Sequence, residues 1–205
     1  CLLSRGLGDV YKRQMSDLSA LIVGCGDVGS RLARQLLARG WQVSGLRRSV
    51  ERLPQGVAPV AADLCEPSLP QAWPQRSPDY LVYCVAASQH DEAGYQAAYV
   101  EGLRHVLAWL AEKGQRPRRL LFVSSSSVFA QKEGEWIDET AATEPEGYSG
   151  RVMLEAEQLA LASGIPASIV RLTGIYGPGR EWLLSQVRQG YRVAEAPPLY
   201  GNRIH

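Results

Sequence analysis

The sequence predicts an α/β fold built on a doubly wound, parallel β-sheet. Short apolar segments rich in β-branched residues alternate along the chain with segments whose apolar residues recur at helical spacing. The connections between them are short, and strand–helix–strand units joined in this way form parallel sheets that helices cover on both faces. Ligands of such sheets bind beyond the carboxyl ends of the strands. Functional residues are therefore expected in the loops that follow the strands.

Six strands are predicted from runs of apolar residues, over residues 20–24, 41–46, 59–64, 79–87, 120–127 and 167–172. Three helices are predicted between them, over residues 28–39, 97–113 and 151–162. In the first helix Leu32 and Leu36 share one face, and Gly40 provides a C-terminal stop. The acidic segment 131–147 follows neither period and is predicted to be a solvated loop.

Composition narrows the class of protein. Of the 205 residues, 45% are hydrophobic and 21% are charged, which supplies a full core and excludes a disordered or coiled-coil chain. The net charge of +1 argues against nucleic acid or an anionic membrane as a partner. The cysteines and histidines show neither disulfide nor metal-ligand spacing, so no metal site is expected and a reducing cytoplasm is the expected location.

The motif GCGDVG, at residues 24–29, directly follows the first predicted strand and opens the first predicted helix. In that context a GxGxxG pattern is typical of a dinucleotide-binding loop. Gly24 permits the tight turn, Gly26 lets the backbone approach a pyrophosphate, and Gly29 lets the helix pack against the strand. The amide groups and positive dipole end of the helix then bind the phosphate charge. The alternative is a glycine-rich turn without a ligand.

The residues after the second predicted strand indicate which dinucleotide is bound. Proteins that bind NAD place an acidic residue there to accept hydrogen bonds from the adenosine ribose. Here Arg47 and Arg48 occupy the position. A carboxylate would repel a 2′-phosphate, whereas guanidinium groups bind one through charge-assisted hydrogen bonds. The sequence therefore predicts NADP(H) in preference to NAD, the alternative being that both arginines are solvated surface residues.

Six motifs follow one another in order: GCGDVG, ADL, VAA, FVSSSSVFA, a tyrosine ahead of LEAEQLAL, and RLTGIYGPGR. The series resembles the NAD(P)-dependent epimerase/dehydratase family, which comprises extended or atypical members of the short-chain dehydrogenase/reductase superfamily. The resemblance covers residues 18–205 and implies a Rossmann domain followed by a small substrate domain. It also implies that Asp63 contacts the adenine, that Ala86 and Ala87 line the cofactor, and that segment 173–178 lies beside the nicotinamide.

The glycine loop, the arginines and the resemblance together predict a set of cofactor-binding residues. They are Gly24, Cys25, Gly26, Asp27, Val28, Gly29, Arg47, Arg48, Asp63, Leu64, Ala86, Ala87, Tyr148, Thr173, Gly174 and Ile175.

The catalytic positions match the family only in part. In the family a serine or threonine orients the substrate, a tyrosine transfers a proton, and a lysine four residues later lowers the pKa of that tyrosine, because a phenol is a useful base near neutral pH only beside a cation. The resemblance places Ser125 and Tyr148 in the first two roles. Val152 stands where the lysine belongs, and Arg151, three residues after Tyr148, is the candidate for the positive charge. The family's helical asparagine is replaced by Tyr99.

The resemblance implies an NAD(P)-dependent oxidoreductase, epimerase or dehydratase that acts by hydride transfer on a nucleotide-sugar or a similar small carbonyl or alcohol substrate, and the two arginines favour NADP(H) as its cofactor. The alternative, which the missing lysine keeps open, is a non-catalytic NADP(H)-binding sensor or regulatory module. The family's usual helix pairing makes a homodimer the expected assembly. Nucleic-acid and membrane partners are not expected.

Three segments are predicted along the chain. Residues 1–14 show no periodicity and precede Met15, so we predict that they are a non-native leader and that Met15 is the true start. Residues 15–178 are the predicted dinucleotide-binding domain. Residues 179–205 are the predicted start of a substrate-binding region that continues beyond this chain.

Overall fold

The computed structural model describes residues 18–192 and 202–205. Its centre is a six-stranded parallel sheet in the order β3–β2–β1–β4–β5–β6, wound outwards in both directions from β1. The predicted α/β fold with a doubly wound parallel sheet is therefore confirmed. The strands are β1 (Ser19–Val23), β2 (Gln42–Arg47), β3 (Ala58–Ala61), β4 (Tyr80–Tyr83), β5 (Arg119–Ser125) and β6 (Ala167–Leu172).

Helices cover both faces of the sheet. They are α1 (Asp27–Ala38), α2 (Glu92–Tyr95), α3 (Gly102–Glu112), α4 (Tyr148–Leu161) and α5 (Trp182–Arg188), and a π-helical segment (Gln96–Glu101) joins α2 to α3. After β6, a separate two-stranded sheet pairs β7 (Gly174–Ile175) with β8 (Arg203–Ile204).

Some element bounds differ from those predicted. The fourth strand ends at Tyr83 rather than at residue 87. The fifth strand ends at Ser125, and Ser126–Val128 form a 3-10 turn in which the Ser125 side chain accepts from the Ser127 amide. Small polar residues at a strand exit favour such local hydrogen bonds over continued pairing. In both places the chain leaves the sheet early and its residues turn towards the cleft described below.

The apolar residues of β1 are buried on both faces of the sheet. Leu21 and Val23 pack into the larger core cluster, under α3 and α4, whereas Ile22 packs into the smaller cluster under α1. Alternate residues of a strand point to opposite faces, which is why a continuous apolar run suits this central position. Full burial of each such side chain stabilises the fold by about 1.5–3 kcal/mol.

A buried ion pair joins α4 to the sheet. Glu157 is 2% exposed and accepts two hydrogen bonds from Arg171 of β6, at 3.0 and 2.7 Å. The hydroxyl of Ser124, on β5, donates to the same carboxylate at 2.6 Å. The hydrogen bonds to Glu157 raise the pKa of Arg171. Because these contacts connect three elements, they fix how α4 is placed beside the ends of β5 and β6.

The predicted leader 1–14 and the predicted start at Met15 lie outside the described residues. In the segment after residue 178, α5 exposes Trp182, Leu184 and Val187. The proposed division at residue 178 stays a prediction. Every helix within residues 18–192 and 202–205 is too short or too polar to cross a lipid bilayer.

Candidate functional site

A cleft of about 790 Å³ lies at the carboxyl ends of the six strands of the sheet. The loops that follow β1, β2, β3 and β4 line one part of it, and the ends of β5 and β6 with the first turns of α4 line the other. This is the position at which ligands bind in doubly wound sheets, on both sides of the point where the strand order reverses.

The three glycines of the loop after β1 meet different surroundings. Gly24 has a φ of +79°, and a Cβ built on it would lie 2.6 Å from the backbone of Val85. A Cβ on Gly29 would lie 3.0 Å from both Ile22 and Cys84. A Cβ on Gly26 would meet only the Gly24 carbonyl oxygen, at 3.8 Å. The fold therefore excludes a side chain at Gly24 and leaves little room for one at Gly29, whereas the space beside Gly26 is open to another molecule.

Asp27 begins α1 at the mouth of the loop and lines the cleft. Its carboxylate accepts from Arg31 at 2.8 Å and from Arg180 at 2.6 Å, and these hydrogen bonds lower its pKa. Arg31 also donates to the carbonyl of Pro178 at 2.5 Å. The segment after β7 is thus tied to the first turn of α1.

Guanidinium groups form the wall of the cleft beyond β2. Arg47 donates to the carbonyl of Cys25 at 3.0 Å, so its side chain crosses beneath the glycine loop. Arg48 is exposed and pairs loosely with Asp63, at 3.9 Å. Arg52 lines the same wall, and the sequence analysis did not single it out. This wall of the cleft therefore carries positive charge, and the Asp63 carboxylate faces it.

The side of the cleft formed by α4 differs from the sequence prediction in its helical register. Ser149 and Met153 line the cleft, although Met153 is as buried as Val152, which lies outside the lining. The Tyr148 hydroxyl donates to the carbonyl of His90 at 2.6 Å and lies outside the cleft lining. Consecutive residues of an α-helix are rotated by about 100°, so residues 149 and 153 share a face that residues 148 and 152 do not.

The hydrogen bond and the ion pair of Arg151 are made with groups other than Tyr148. Its guanidinium donates to the carbonyl of Glu146 at 2.6 Å and pairs with Glu92 at 3.6 Å. The positive charge of Arg151 is therefore paired with Glu92 on the outer face of α4. Ser125 does line the cleft, although its hydroxyl is already engaged with the Ser127 amide at 3.1 Å.

Two tyrosines that the sequence analysis did not assign to catalysis line the cleft, Tyr95 and Tyr99. Their ring centroids lie 5.1 Å apart, and the Tyr99 hydroxyl accepts from the Ala87 amide at 3.3 Å. Tyr95 also packs edge-on against Tyr148, at 5.5 Å. Burial, followed by the neighbouring Tyr99, raises the pKa of Tyr95. Their spacing of four residues in a helical segment was the available signal.

The predicted cofactor-binding and catalytic residues divide into those that line the cleft and those that do not. Thr173 is notable because its hydroxyl oxygen is buried and makes no hydrogen bond within the described part of the chain. Predicted residues that line the cleft are Gly24, Gly26, Asp27, Val28, Arg47, Arg48, Asp63, Leu64, Ala86, Ser125, Thr173 and Ile175. Predicted residues outside its lining are Cys25, Gly29, Ala87, Tyr148, Arg151 and Gly174.

Three thiols lie near the cleft in different surroundings. Cys25 is buried beside Ser30, and burial raises its pKa. Burial also raises the pKa of the Cys84 thiol, to about 12. Cys65 is exposed and lines the cleft next to Asp63. No three acidic, histidine or cysteine side chains converge in a metal-binding arrangement within residues 18–192 and 202–205.

Comparison with known proteins shows which family this chain belongs to. The sequence model of the NAD dependent epimerase/dehydratase family matches residues 20–202. Protein YeeZ of Escherichia coli K12 is 32% identical over 173 residues, which are 78% of this chain and 59% of that protein. The chain therefore belongs to the NAD dependent epimerase/dehydratase family, and the resemblance found in the sequence is confirmed. The chain spans about three-fifths of the length of this curated relative.

Solved structures agree on the fold. A structure described as an NAD-dependent epimerase/dehydratase from Methylobacillus flagellatus is 39% identical, with a TM-score of 0.71, over 92% of this chain and 65% of that one. The Bordetella bronchiseptica enzyme WbmG, solved in complex with NAD and UDP, is 20% identical with a TM-score of 0.61, over 79% of this chain and 55% of that one. At that identity the likeness to WbmG shows a shared fold alone.

Proposed function

We propose that the cleft binds NADP(H) and that the whole protein is an oxidoreductase, epimerase or dehydratase acting on a small carbonyl or alcohol substrate. The observation that carries the proposal is the open backbone at Gly26, where an added Cβ meets nothing closer than 3.8 Å. A glycine with open space beside it, between two glycines whose surroundings leave little or no room for a side chain, is explained by a ligand that approaches the loop closely. The buried hydroxyl of Thr173, which lacks a protein partner within the described residues, also suits a polar ligand.

The residues of the cleft fit the parts of such a dinucleotide. The amides at the start of α1 would bind the pyrophosphate, since the first amides of a helix lack partners within it. Arg47 and Arg48 would bind the 2′-phosphate, and Asp63 would lie beside the adenine. Ala86 and Thr173 would lie towards the nicotinamide. When bound, the nicotinamide supplies a group that accepts or returns a hydride.

The substrate side is proposed from Ser125 and the cleft tyrosines. Ser125 would orient a substrate oxygen by hydrogen bonding. The resemblance assigns proton transfer to Tyr148, but the lining of the cleft favours Tyr95, because the Tyr148 hydroxyl is bound to the His90 carbonyl. With no lysine on the cleft face of α4, the phenol would remain neutral and act as a proton donor to a substrate oxygen.

The substrate class is proposed from the family. Nucleotide-sugars are the first choice, with similar small carbonyl or alcohol compounds as the wider class. On the same resemblance we propose a dinucleotide-binding domain over residues 15–178, a substrate-binding region that begins at residue 179, and a homodimer. From the spacing of the cysteines we propose a cytoplasmic location.

A second candidate is a non-catalytic NADP(H)-binding module. The observation in its favour is α4, in which Arg151 pairs with Glu92 on the outer face and the buried Val152 stands where the lysine is expected. Both candidates share the cofactor and differ in chemistry. Turnover of any carbonyl substrate by the whole protein would exclude the second one.

Titration of the whole protein with NADPH and NADH tests the proposal. We expect both to bind, with NADPH the tighter, as measured by protein fluorescence quenching or calorimetry. A screen of nucleotide-sugars for a change in nicotinamide absorbance would then separate the two candidates. If the protein binds neither NADPH nor NADH, both candidate functions lose their basis.

A further inference from the structure

The helix that crosses the end of β4 changes its hydrogen-bond pattern within the cleft. The Gly102 amide donates to the carbonyl of Ala97, five residues back, and Gln96–Glu101 form a π-helical segment. An α-helix would instead pair the Gly102 amide with the carbonyl of Ala98, four residues back. Such π-segments are rare and are frequently found at functional sites. A side chain that enters the hydrogen-bond ladder is a known cause of helix distortion.

Tyr83, the last residue of β4, enters the ladder here. Its hydroxyl donates to the Ala98 carbonyl at 2.6 Å, so it replaces the amide that has moved away. Gly102 makes room for it, because a Cβ on Gly102 would lie 2.6 Å from the Tyr83 hydroxyl oxygen. The Tyr83 ring is fully buried and stacks on Phe122, with centroids 5.6 Å apart. The hydroxyl is therefore held in place from the core side.

The Tyr83 hydroxyl is held in one position and also keeps its proton, so it is always able to donate. Burial raises the pKa of Tyr83 well above its ordinary value, so the hydroxyl stays protonated throughout the neutral range. The ionisable groups that face it are the phenol of Tyr99 and the thiols of Cys65 and Cys84. Loss of the Tyr83 proton is therefore not expected to open or close this contact.

The π-segment decides which side chains face the cleft. Ala97, Ala98 and Tyr99 are consecutive and all line it, as does Tyr95 one turn earlier. Three consecutive residues of a regular α-helix would spread over about 200°, and a π-segment, which has more residues per turn, brings them into a narrower arc. We propose that Tyr83 is a positioning residue, whose hydroxyl opens the helix at Ala98 and so holds Tyr95 and Tyr99 against the cleft.

Tyrosine ring resonances test the geometry without any ligand. In full-length protein with ring-labelled tyrosine, we expect Tyr83→Phe to shift the resonances of Tyr95 and Tyr99. The matched control is Tyr80→Phe, which removes a hydroxyl from the same strand where the ring packs on Trp41, and it should leave both resonances in place. Tyr95 and Tyr99 resonances that stay at their wild-type positions in Tyr83→Phe would overturn the proposal.

Replacing Tyr83 with 4-aminophenylalanine restores a donor at the same place and is expected to restore the wild-type spectrum. This variant also decides the case if Tyr83→Phe fails to fold. A folded amino variant with the wild-type spectrum supports the role, whereas an amino variant that is unfolded or has displaced Tyr95 and Tyr99 resonances contradicts it.

Ligand affinity provides a second readout, and this part alone rests on the proposed function. We expect Tyr83→Phe to weaken NADPH binding about fivefold, the order of one lost hydrogen bond. If Tyr83 acts through Tyr99, the substitution should add less than about twofold in a Tyr99→Phe background. Full additivity would contradict action through Tyr99. If wild-type protein binds no dinucleotide, the proposed function fails while the ring resonances still decide the role of Tyr83.

Discussion

Arg180 donates to the Asp27 carboxylate across 2.6 Å and so connects the segment after β7 with the first turn of α1. A carboxylate at a helix N-terminus is stabilised by the helix dipole, but here it also lies where a pyrophosphate would approach. Arg31 and Arg180 offset that negative charge from two sides. The mouth of the cleft is therefore compatible with an anion although an acidic residue lines it.

Asp27→Asn is expected to lower the free energy of unfolding near neutral pH by less than about 1 kcal/mol, since the ion pairs are part exposed and screened by solvent. The pKa of Asp27 is lower in the folded state, so its contribution is present above the ordinary carboxyl pKa of about 3.9 and is lost as pH falls through the lowered value. Wild type and variant should therefore converge in acid. Urea unfolding between about pH 2.5 and pH 7 measures this.

The matched control is Glu66→Gln, an exposed carboxylate on the loop after β3. It removes one exposed negative charge without breaking any ion pair of the described residues, and so measures the effect of the charge alone. A difference for Asp27→Asn that is equally large in acid and at neutral pH would contradict the ion-pair explanation.

Gly26→Ala and Gly24→Ala are expected to separate binding from folding. Gly24→Ala places a side chain at a φ of +79° against the Val85 backbone, so it should cost more than about 1–2 kcal/mol of stability. Gly26→Ala meets little of the protein and should remain folded, but it should weaken NADPH binding at least about tenfold, or 1.4 kcal/mol. Thermal unfolding and NADPH titration of both variants check this. A folded Gly26→Ala with wild-type affinity would argue for a ligand-free turn.

Charge reversal at the wall beyond β2 is expected to change cofactor preference. Arg47→Glu and Arg48→Glu should each raise the Kd for NADPH by about tenfold or more, because hydrogen bonds to charged groups contribute about 1.5–3 kcal/mol. NADH, which lacks the 2′-phosphate, should be affected much less. Arg39→Glu, at the exposed far end of α1, is the control for overall charge. Equal losses for NADPH and NADH would remove the proposed role of the two arginines.

Tyrosine substitutions are expected to distinguish the candidate proton donors. Tyr95→Phe should lower kcat by about 100-fold or more, the usual range for a general acid, while NADPH affinity changes little. Tyr148→Phe should leave turnover within a few-fold, because its hydroxyl is bound to the His90 carbonyl. Steady-state kinetics on the whole protein, with a substrate found by the absorbance screen, measures both. The reverse ranking would restore Tyr148 to the role that the family resemblance implies.

The sheet and the glycine loop could be predicted because local pattern determines them. The run before Gly24 is buried on both faces, and a glycine motif placed between a strand and a helix is specific for a dinucleotide-binding loop. The register of α4 could not be predicted in the same way. The family's spacing is counted from Tyr148, but the Glu157 ion pair fixes the helix with Ser149 facing the cleft. An offset of one residue turns a side chain by about 100°.

The orientation of Tyr95 and Tyr99 towards the cleft was missed for a different reason. Their spacing of four residues is visible in the sequence, but the direction in which they face depends on the Tyr83 hydroxyl, which reaches the helix from a strand. Arg52 was missed because it comes from a short 3-10 turn after β2 that no apolar pattern announces. Contacts of this kind become visible only when distant parts of the chain are brought together.

The differing surroundings of the thiols have a practical consequence for chemical labelling. Within the described residues, burial raises the pKa of all three thiols, but Cys25 is buried and Cys84 only partly exposed, whereas Cys65 is exposed at the rim of the cleft, beside the expected adenine position. Because of its exposure, Cys65 would react with a maleimide fluorophore in preference to Cys25 and Cys84. The emission of a fluorophore at Cys65 would then report nucleotide occupancy in real time.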